Sequence, residues 1–128
     1  MRVGMKGEKT EMVTPIRTAA HLGSGALAVY ATPAMACLME GACMEAVAAA
    51  MPQDMTTVGT ELSIKHLAAT PEGMQVRAQA ELTAIDGKKL TFSVAAFDEK
   101  EQIGAGTHER FIIQSEKFLH KAEAKRKT

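Results

Sequence analysis

The segment from Ala34 to Ala50 is the feature that most restricts how this chain can fold. It has helical spacing, and Glu40 and Glu45 are its only charged residues. Thr32 is the predicted N-cap of this helix and Pro33 its first helical residue. Apolar side chains occur on every side of the predicted helix, so the sequence predicts that it is buried all round. Such a helix needs a layer of structure around it, and the rest of the chain has to supply that layer.

The remaining sequence alternates between apolar and polar residues, which is typical of strands. The predicted elements are a short strand over 8–15, a loop or short irregular helix over 18–29, strands over 57–68, 74–85, 88–98 and 102–114, and a terminal helix over 116–125. Asp86-Gly87 predicts a hairpin turn of the primed type. The simplest arrangement is an α+β fold in which one antiparallel sheet curls around the long helix. The free sheet edges favour a homodimer, or a higher oligomer.

The bulk composition excludes several classes of protein. A chain of 128 residues predicts a single domain over 1–128. The 15 basic and 15 acidic residues balance, so nothing indicates a basic face for nucleic acid. Residues 1–14 are charged and lack the apolar run of a secretory signal. The two glutamates within 34–51 argue against a membrane span. We therefore expect no nucleic acid or membrane partner.

The two cysteines indicate the compartment. Cys37 and Cys43 lie six residues apart on the predicted helix, a rise of about 9 Å, which is too far for a disulfide between them. Two buried free thiols fit the cytoplasm. Neither cysteine has metal-ligand spacing to a second Cys or His. The sequence predicts no metal and no other cofactor.

Glu40 and His66 are the predicted acid–base pair. Burying a carboxylate without a partner costs several kcal/mol, so Glu40 on an apolar helix favours a function, although an arginine partner or an exposed position would also explain it. His66 lies on the inward face of the strand over 57–68. The predicted inward row is Val58, Thr60, Leu62, Ile64, His66 and Ala68. A neutral imidazole there can take a proton near pH 7, or it can be a satisfied core histidine.

Five motifs together resemble a known family. They are Thr32-Pro33, Glu40 eight residues after the threonine, Val58-Gly59, the run His-Leu-Ala-Ala-Thr over 66–70, and the run Gly-Ala-Gly-Thr-His-Glu-Arg over 104–110. Over residues 8–114 the chain resembles the fluoroacetyl-CoA thioesterase-like branch of the hotdog-fold thioesterases. The resemblance implies a hotdog fold, with an antiparallel sheet wrapped around a long buried helix and a short C-terminal helix. It also implies a homodimeric acyl-CoA hydrolase with a catalytic set of Thr32, Glu40 and His66.

Gly59 and Arg110 are the predicted substrate-binding residues. Glycine in a strand marks a bulge or a close backbone approach, and Gly59 could bring a thioester carbonyl near a backbone N–H. Arg110 could bind a coenzyme A phosphate, and an ion pair with Glu109 or with an acid across the sheet is an equal alternative. His108 is predicted to be structural.

The expected function is hydrolysis of a small or medium acyl-CoA thioester by His66, Glu40 and Thr32. Thr32 is either the nucleophile or the group that positions water, and it can also be a helix cap alone. Eight helical residues separate Thr32 from Glu40 by about 12 Å, which favours a site shared between subunits. The alternative functions are a non-catalytic acyl-CoA-binding module and a hotdog enoyl-CoA hydratase or dehydratase.

Overall fold

The computed structural model describes residues 1–127. In chain order the elements are β1 (Lys6–Met12), α1 (Ala19–Leu22), α2 (Thr32–Val47), β2 (Met55–His66), β3 (Gln75–Asp86), β4 (Lys89–Phe97), β5 (Gln102–Gln114) and α3 (Ser115–Glu123). The five strands form one antiparallel sheet in the order β1-β3-β4-β5-β2. The predicted α+β class and the order of its elements are confirmed, with boundaries that differ by a few residues.

The inner face of the sheet and one side of α2 form the core. The buried residues of α2 are Met35, Leu38, Met39, Ala42, Cys43, Ala46 and Val47. The inward rows of β3 and β4 meet them, and their buried members are Val76, Ala78, Ala80, Leu82, Leu90, Phe92, Val94 and Ala96. The alternation also predicts Ala84 inward, but Ala84 is exposed because the pairing of β3 with β4 shifts between Leu82 and Ala84. Gly87 has φ 61° at the start of the β3–β4 turn, which fits the primed hairpin that the sequence predicts.

The prediction that α2 is buried all round is wrong for a single subunit. Cys37, Met44 and Glu45 are exposed on the side of α2 that faces away from the sheet. A single five-stranded sheet covers only one side of a helix, so the other apolar side remains open. The stretch Thr32–Ala50 is long and apolar enough to span a membrane by composition, with a mean hydropathy of 1.2. Its packing against the sheet accounts for that hydropathy.

The start of α2 also differs from the prediction. Ala31, in an extended conformation, occupies the N-cap position, and Thr32 is the first helical residue. The Ala31 methyl group makes no capping hydrogen bond. Thr32 is therefore not the cap that the sequence predicts, and its hydroxyl is free for another partner.

A β-bulge divides β2 into two halves. Gly59 pairs with Arg110 and Glu61 pairs with Glu109, which leaves Thr60 as the extra residue. The inward face therefore carries odd-numbered residues before the bulge and even-numbered residues after it. Ile64 and His66 face inward as predicted, whereas Val58 and Thr60 do not. The simple alternation of inward and outward residues fails here because the extra residue of the bulge exchanges the two faces for every residue that follows it.

Candidate active site

The Thr32 hydroxyl and the His66 imidazole form a direct pair. Thr32 Oγ1 lies 2.8 Å from Nδ1 of His66. The first turn of α2 supplies the hydroxyl, and the last residue of β2 supplies the ring. Both line a groove of about 410 Å³, whose other walls are Ala19, Ser24, Val29, Tyr30, Leu67, Ala68 and Ala69. The structure thus places two of the three predicted catalytic side chains in contact, at the edge of a mostly apolar groove.

His66 has the properties of a base. Burial lowers the pKa of the His66 imidazole below its ordinary value of 6.5, so the neutral form dominates near neutral pH. Its second ring nitrogen, Nε2, is shielded from solvent and has no hydrogen-bond partner among residues 1–127. When Nδ1 accepts a hydrogen bond from the Thr32 hydroxyl, Nε2 carries the ring hydrogen, and none of the described residues accepts it.

Tyr30 is a wall of the groove that the sequence analysis missed. Its ring meets the His66 ring edge-on, with centroids 6.5 Å apart and planes at 85°. The Tyr30 hydroxyl donates to Glu11 at 2.7 Å, and Glu11 pairs with Arg17 at 3.3 Å. Burial and the Glu11 bond raise the pKa of Tyr30 far above its ordinary value, so the phenol stays protonated. Its being the only tyrosine of the chain was the one available signal.

Glu40 lies in a different cluster. Its Oε2 is 3.8 Å from Nε2 of His108, and its side chain is 40% exposed. A Cβ on Gly59 would stand 3.1 Å from that same carboxylate oxygen, so Glu40 packs directly against the strand backbone. The prediction of a fully buried carboxylate is wrong for a single subunit. Within the described residues, Glu40 makes no hydrogen bond or ion pair with His66, because its neighbour is His108 instead.

Arg110 points into the protein rather than toward a coenzyme phosphate. Its Nε donates to the Thr57 hydroxyl and its Nη2 to the Thr57 carbonyl, both at 2.8 Å. Its Nη1 lies 3.1 Å from His108 Nε2, and only 5% of the residue is exposed. In this conformation the guanidinium is unavailable to a phosphate at the surface. The alternative of an ion pair between Arg110 and Glu109 is wrong, because Glu109 faces outward and pairs with Lys89 at 3.4 Å.

The two cysteines have different surroundings. Cys43 is buried, and burial raises the pKa of its thiol to about 12. Cys37 is exposed, which corrects the prediction that both are buried. Between residues 1 and 127, no three His, Cys, Asp or Glu side chains come together as a metal site.

Comparisons with known proteins place this geometry in a family. The sequence profile of the FlK family, described as fluoroacetyl-CoA-specific thioesterase, matches residues 13–116. The fluoroacetyl-CoA thioesterase of Streptantibioticus cattleyicolor is 40% identical, over 98% of this chain and 94% of that protein. The chain belongs to the fluoroacetyl-CoA-specific thioesterase family. The sequence-based predictions of the family and of acyl-CoA thioester hydrolysis are confirmed.

Solved structures of family members agree with this fold. An alanine variant of the fluoroacetyl-CoA-specific thioesterase FlK, in complex with fluoroacetate and CoA, has a TM-score of 0.86 at 40% identity, over 92% of this chain and 99% of that chain. A threonine-to-serine variant of FlK in complex with acetyl-CoA has a TM-score of 0.92 at 37% identity, over 98% of both chains. A Thermus thermophilus thioesterase superfamily member has a TM-score of 0.87 at 27% identity, over 98% of this chain and 94% of that one. The predicted hotdog fold is confirmed.

Proposed function

We propose that this thioesterase hydrolyses its substrate at the groove beside Thr32, with His66 as the base. The observation that carries the proposal is the contact of 2.8 Å between Thr32 Oγ1 and His66 Nδ1. A hydroxyl becomes a useful nucleophile only when a base is within hydrogen-bond reach. The lowered pKa of His66 supplies that base in its neutral form near pH 7.

The chemistry proceeds in two stages. The Thr32 hydroxyl gives its proton to His66 Nδ1 while Oγ1 attacks the thioester carbonyl carbon. The tetrahedral intermediate collapses, breaks the C–S bond and releases coenzyme A as the thiol, which takes the proton back from His66. Water then gives a proton to His66 and attacks the Thr32 ester, which releases the carboxylic acid and restores the hydroxyl. If His66 instead activates water directly, the same contact positions that water and no ester forms.

The negative charge that develops on the thioester carbonyl oxygen during the attack needs hydrogen-bond donors to stabilise it. The first backbone N–H groups of a helix have no intrahelical acceptor, and the helix dipole adds positive potential there. Pro33 has no N–H, and the Met35 N–H donates to the Ala31 carbonyl. Thr32 is the first residue of α2, so the donors left beside the nucleophile are the N–H groups of Thr32 and Ala34. Stabilisation of an oxyanion by such fixed donors is a large catalytic term in other hydrolases.

Glu40 takes part through a second copy of the chain in this proposal. β2 lies at one edge of the sheet, and Leu62, in its middle, is a 36% exposed apolar side chain. Antiparallel pairing of two β2 edges about Ser63, with Thr60 as the extra residue of the bulge, sets Gly59 of one copy opposite His66 of the other. Glu40 packs against Gly59. A homodimer of this form would bring a carboxylate toward the unpartnered Nε2 of His66, where it could orient the ring.

The substrate is an acyl-CoA thioester with a small or medium acyl group. The groove walls are short and mostly apolar, with alanine at positions 19, 68 and 69. The relatives bind fluoroacetate, CoA and acetyl-CoA, and fluoroacetyl-CoA is one candidate among short acyl esters. The exposed Cys37 thiol supports a reducing compartment, and we place the enzyme in the cytoplasm.

A panel of acyl-CoA esters with detection of the free thiol tests the proposal. At least one short or medium ester should be hydrolysed, and His66→Ala and Glu40→Gln should each lower that rate by roughly 10²-fold or more. Esters that raise the melting temperature of the wild type without releasing thiol would indicate a binding module. Hydration of crotonyl-CoA without thiol release would indicate a hydratase. Wild-type rates in both variants would remove His66 and Glu40 from the mechanism.

A further inference from the structure

A polar cluster between β2, β5 and α2 surrounds Glu40, and its other members have no role in the proposed reaction. His108 is its centre, with only 1% of the residue exposed. The His108 Nδ1 lies 2.8 Å from the carbonyl oxygen of Glu61, directly after the bulge. Its Nε2 lies 3.1 Å from Nη1 of Arg110 and 3.8 Å from Oε2 of Glu40. Each ring nitrogen therefore faces a specific group.

These contacts fix the protonation state of His108. A carbonyl oxygen only accepts hydrogen bonds, so Nδ1 must carry a hydrogen. A guanidinium only donates, so Nε2 must present a lone pair to Arg110. Both contacts require the same neutral tautomer. Burial lowers the pKa of His108, and the Arg110 charge adds to that effect, which agrees with the geometry.

The neutral ring leaves Glu40 without a donor. His108 Nε2, the one nitrogen of residues 1–127 that lies within 4 Å of this carboxylate in an ion-pair arrangement, has no hydrogen to give. The Cys43 thiol nearby is neutral because burial raises its pKa. The charged Arg110 side chain also lies close to Glu40. Its Nη1 and the Glu40 Oε2 both lie within 3.3 Å of the point where a side chain on Gly59 would begin.

We propose that His108 is a positioning residue that accepts from Arg110 and thereby keeps this arginine from pairing with Glu40. The two Thr57 bonds hold the rest of the guanidinium, and His108 holds Nη1, the arm that lies beside Gly59 as the carboxylate does. Glu40 is thus left as a free carboxylate that can accept a proton or orient a partner. This inference rests on the proposed role of Glu40.

Two substitutions of His108 separate its two bonds. In His108→Asn the amide N–H can still donate to the Glu61 carbonyl, but nothing reaches the position of Nε2. Arg110 is then released and pairs with Glu40. In His108→Gln the amide oxygen can reach the position of Nε2 and accept from Arg110. The asparagine variant should lower kcat by roughly 10-fold, whereas the glutamine variant should stay close to the wild type.

The titration of Glu40 gives a readout that does not depend on activity. Carbon-13 NMR of the glutamate carboxyl groups, with Glu40 identified from the Glu40→Gln spectrum, should show Glu40 titrating about 1 pH unit or more lower in His108→Asn than in the wild type. The reason is that a cation at ion-pair distance favours the carboxylate. His108→Gln should leave this titration in place. An unchanged Glu40 titration in a folded asparagine variant would overturn the proposal.

A double-mutant cycle completes the test. If His108 acts through Glu40, His108→Asn should add little to the loss already caused by Glu40→Gln. Equal losses in the wild-type and Glu40→Gln backgrounds would show that His108 serves only the fold, and this would refute the inference. Full activity of Glu40→Gln itself would refute the proposed role of Glu40 instead, and the NMR titration would still decide whether His108 restrains Arg110.

Discussion

The Thr32 hydroxyl bonds to the ring of His66 at 2.8 Å and makes no bond to the helix end on which it lies. Ala31 takes the cap position with its backbone alone. A residue that usually caps a helix is therefore available for chemistry. Function and helix stability are separated at this position, and mutation can test them independently.

Three substitutions of Thr32 should separate the hydroxyl from the shape of the side chain. Thr32→Ser keeps the hydroxyl and should retain much of the thioesterase activity. Thr32→Val keeps the branched shape and Thr32→Ala removes it, and both should lose most activity. The free energy of unfolding should fall by no more than about 1 kcal/mol in the valine variant, because one partly exposed hydrogen bond is lost. Rates from thiol release and thermal melts measure the two effects, and equal activity of Ser and Val would contradict the role of the hydroxyl.

The pH dependence of activity should follow His66. Because burial lowers the pKa of this imidazole, the acid limb of kcat/KM should lie below pH 6.5. Activity should fall as pH decreases through the lowered pKa, when the base becomes protonated. Rate profiles for the ester with the best turnover measure this limb. An acid limb above pH 6.5 would contradict the assignment of His66 as the base.

Stability should depend on pH for the same reason. The pKa values of His66 and His108 are both below the ordinary 6.5, so the unfolded chain binds more protons than the folded chain as pH falls below that value. The free energy of unfolding should therefore decrease from about pH 7 toward about pH 5. Denaturant titrations at several pH values measure the slope. His66→Gln should reduce the slope, and an unchanged slope would show that His66 does not contribute.

Gly59→Ala should damage catalysis more than the fold. A Cβ there would lie 3.0 Å from the His108 ring and 3.1 Å from Glu40, so these side chains would have to shift. We expect a fall in kcat of roughly 10-fold, because a carboxylate that moves by even a fraction of an ångström loses its alignment. Gly41→Ala is the matched control, since its Cβ would meet only the flexible end of Lys9. The control should be active and at least as stable as the wild type, because alanine favours a helix over glycine. Equal rates for the two variants would be evidence against a close fit at Gly59.

A site shared between subunits predicts complementation. Thr32→Ala and Glu40→Gln should each be inactive alone, and a mixture unfolded and refolded together should recover part of the activity. In a mixed dimer, one site then combines both defects and the other has neither. Mass spectrometry of the intact complexes verifies that mixed dimers form. Mixed dimers without recovered activity would place Thr32 and Glu40 in one subunit's site.

Much of the fold is predictable from this sequence because its periodicity is strong. The inward rows of β3 and β4 follow from the alternation of their residues, which are buried from Val76 to Leu82 in β3 and from Leu90 to Ala96 in β4. The outer side of α2 was predicted incorrectly. An apolar residue such as Met44 predicts burial, but the sequence does not show whether it packs against its own sheet or against another copy of the chain. The preference of threonine for the N-cap position also gave a wrong prediction at Thr32. Its hydroxyl bonds to the His66 ring, 34 residues away in the sequence, instead of capping the helix.

The candidate site was harder to predict than the fold. The partners of Glu40 and Arg110 depend on which residues of β2 face inward. The bulge changes this from odd-numbered to even-numbered residues at a single position. Gly59 signalled a bulge, but the sequence did not fix which residue would be extra. The link from Tyr30 to Glu11 joins a loop to β1 across 19 residues, and no local pattern encodes it.

The bulge at Thr60 also marks a point where the chain could be shortened without moving the site. Loss of this single residue would join Gly59 directly to Glu61 and restore uninterrupted pairing between β2 and β5. Regular alternation from Thr57 and Gly59 would then keep Ile64 and His66 on the inner face, where His66 still reaches Thr32. A reading frame shortened by one codon here would therefore be expected to preserve both the sheet and the catalytic pair, whereas a codon lost between Glu61 and His66 would turn His66 outward.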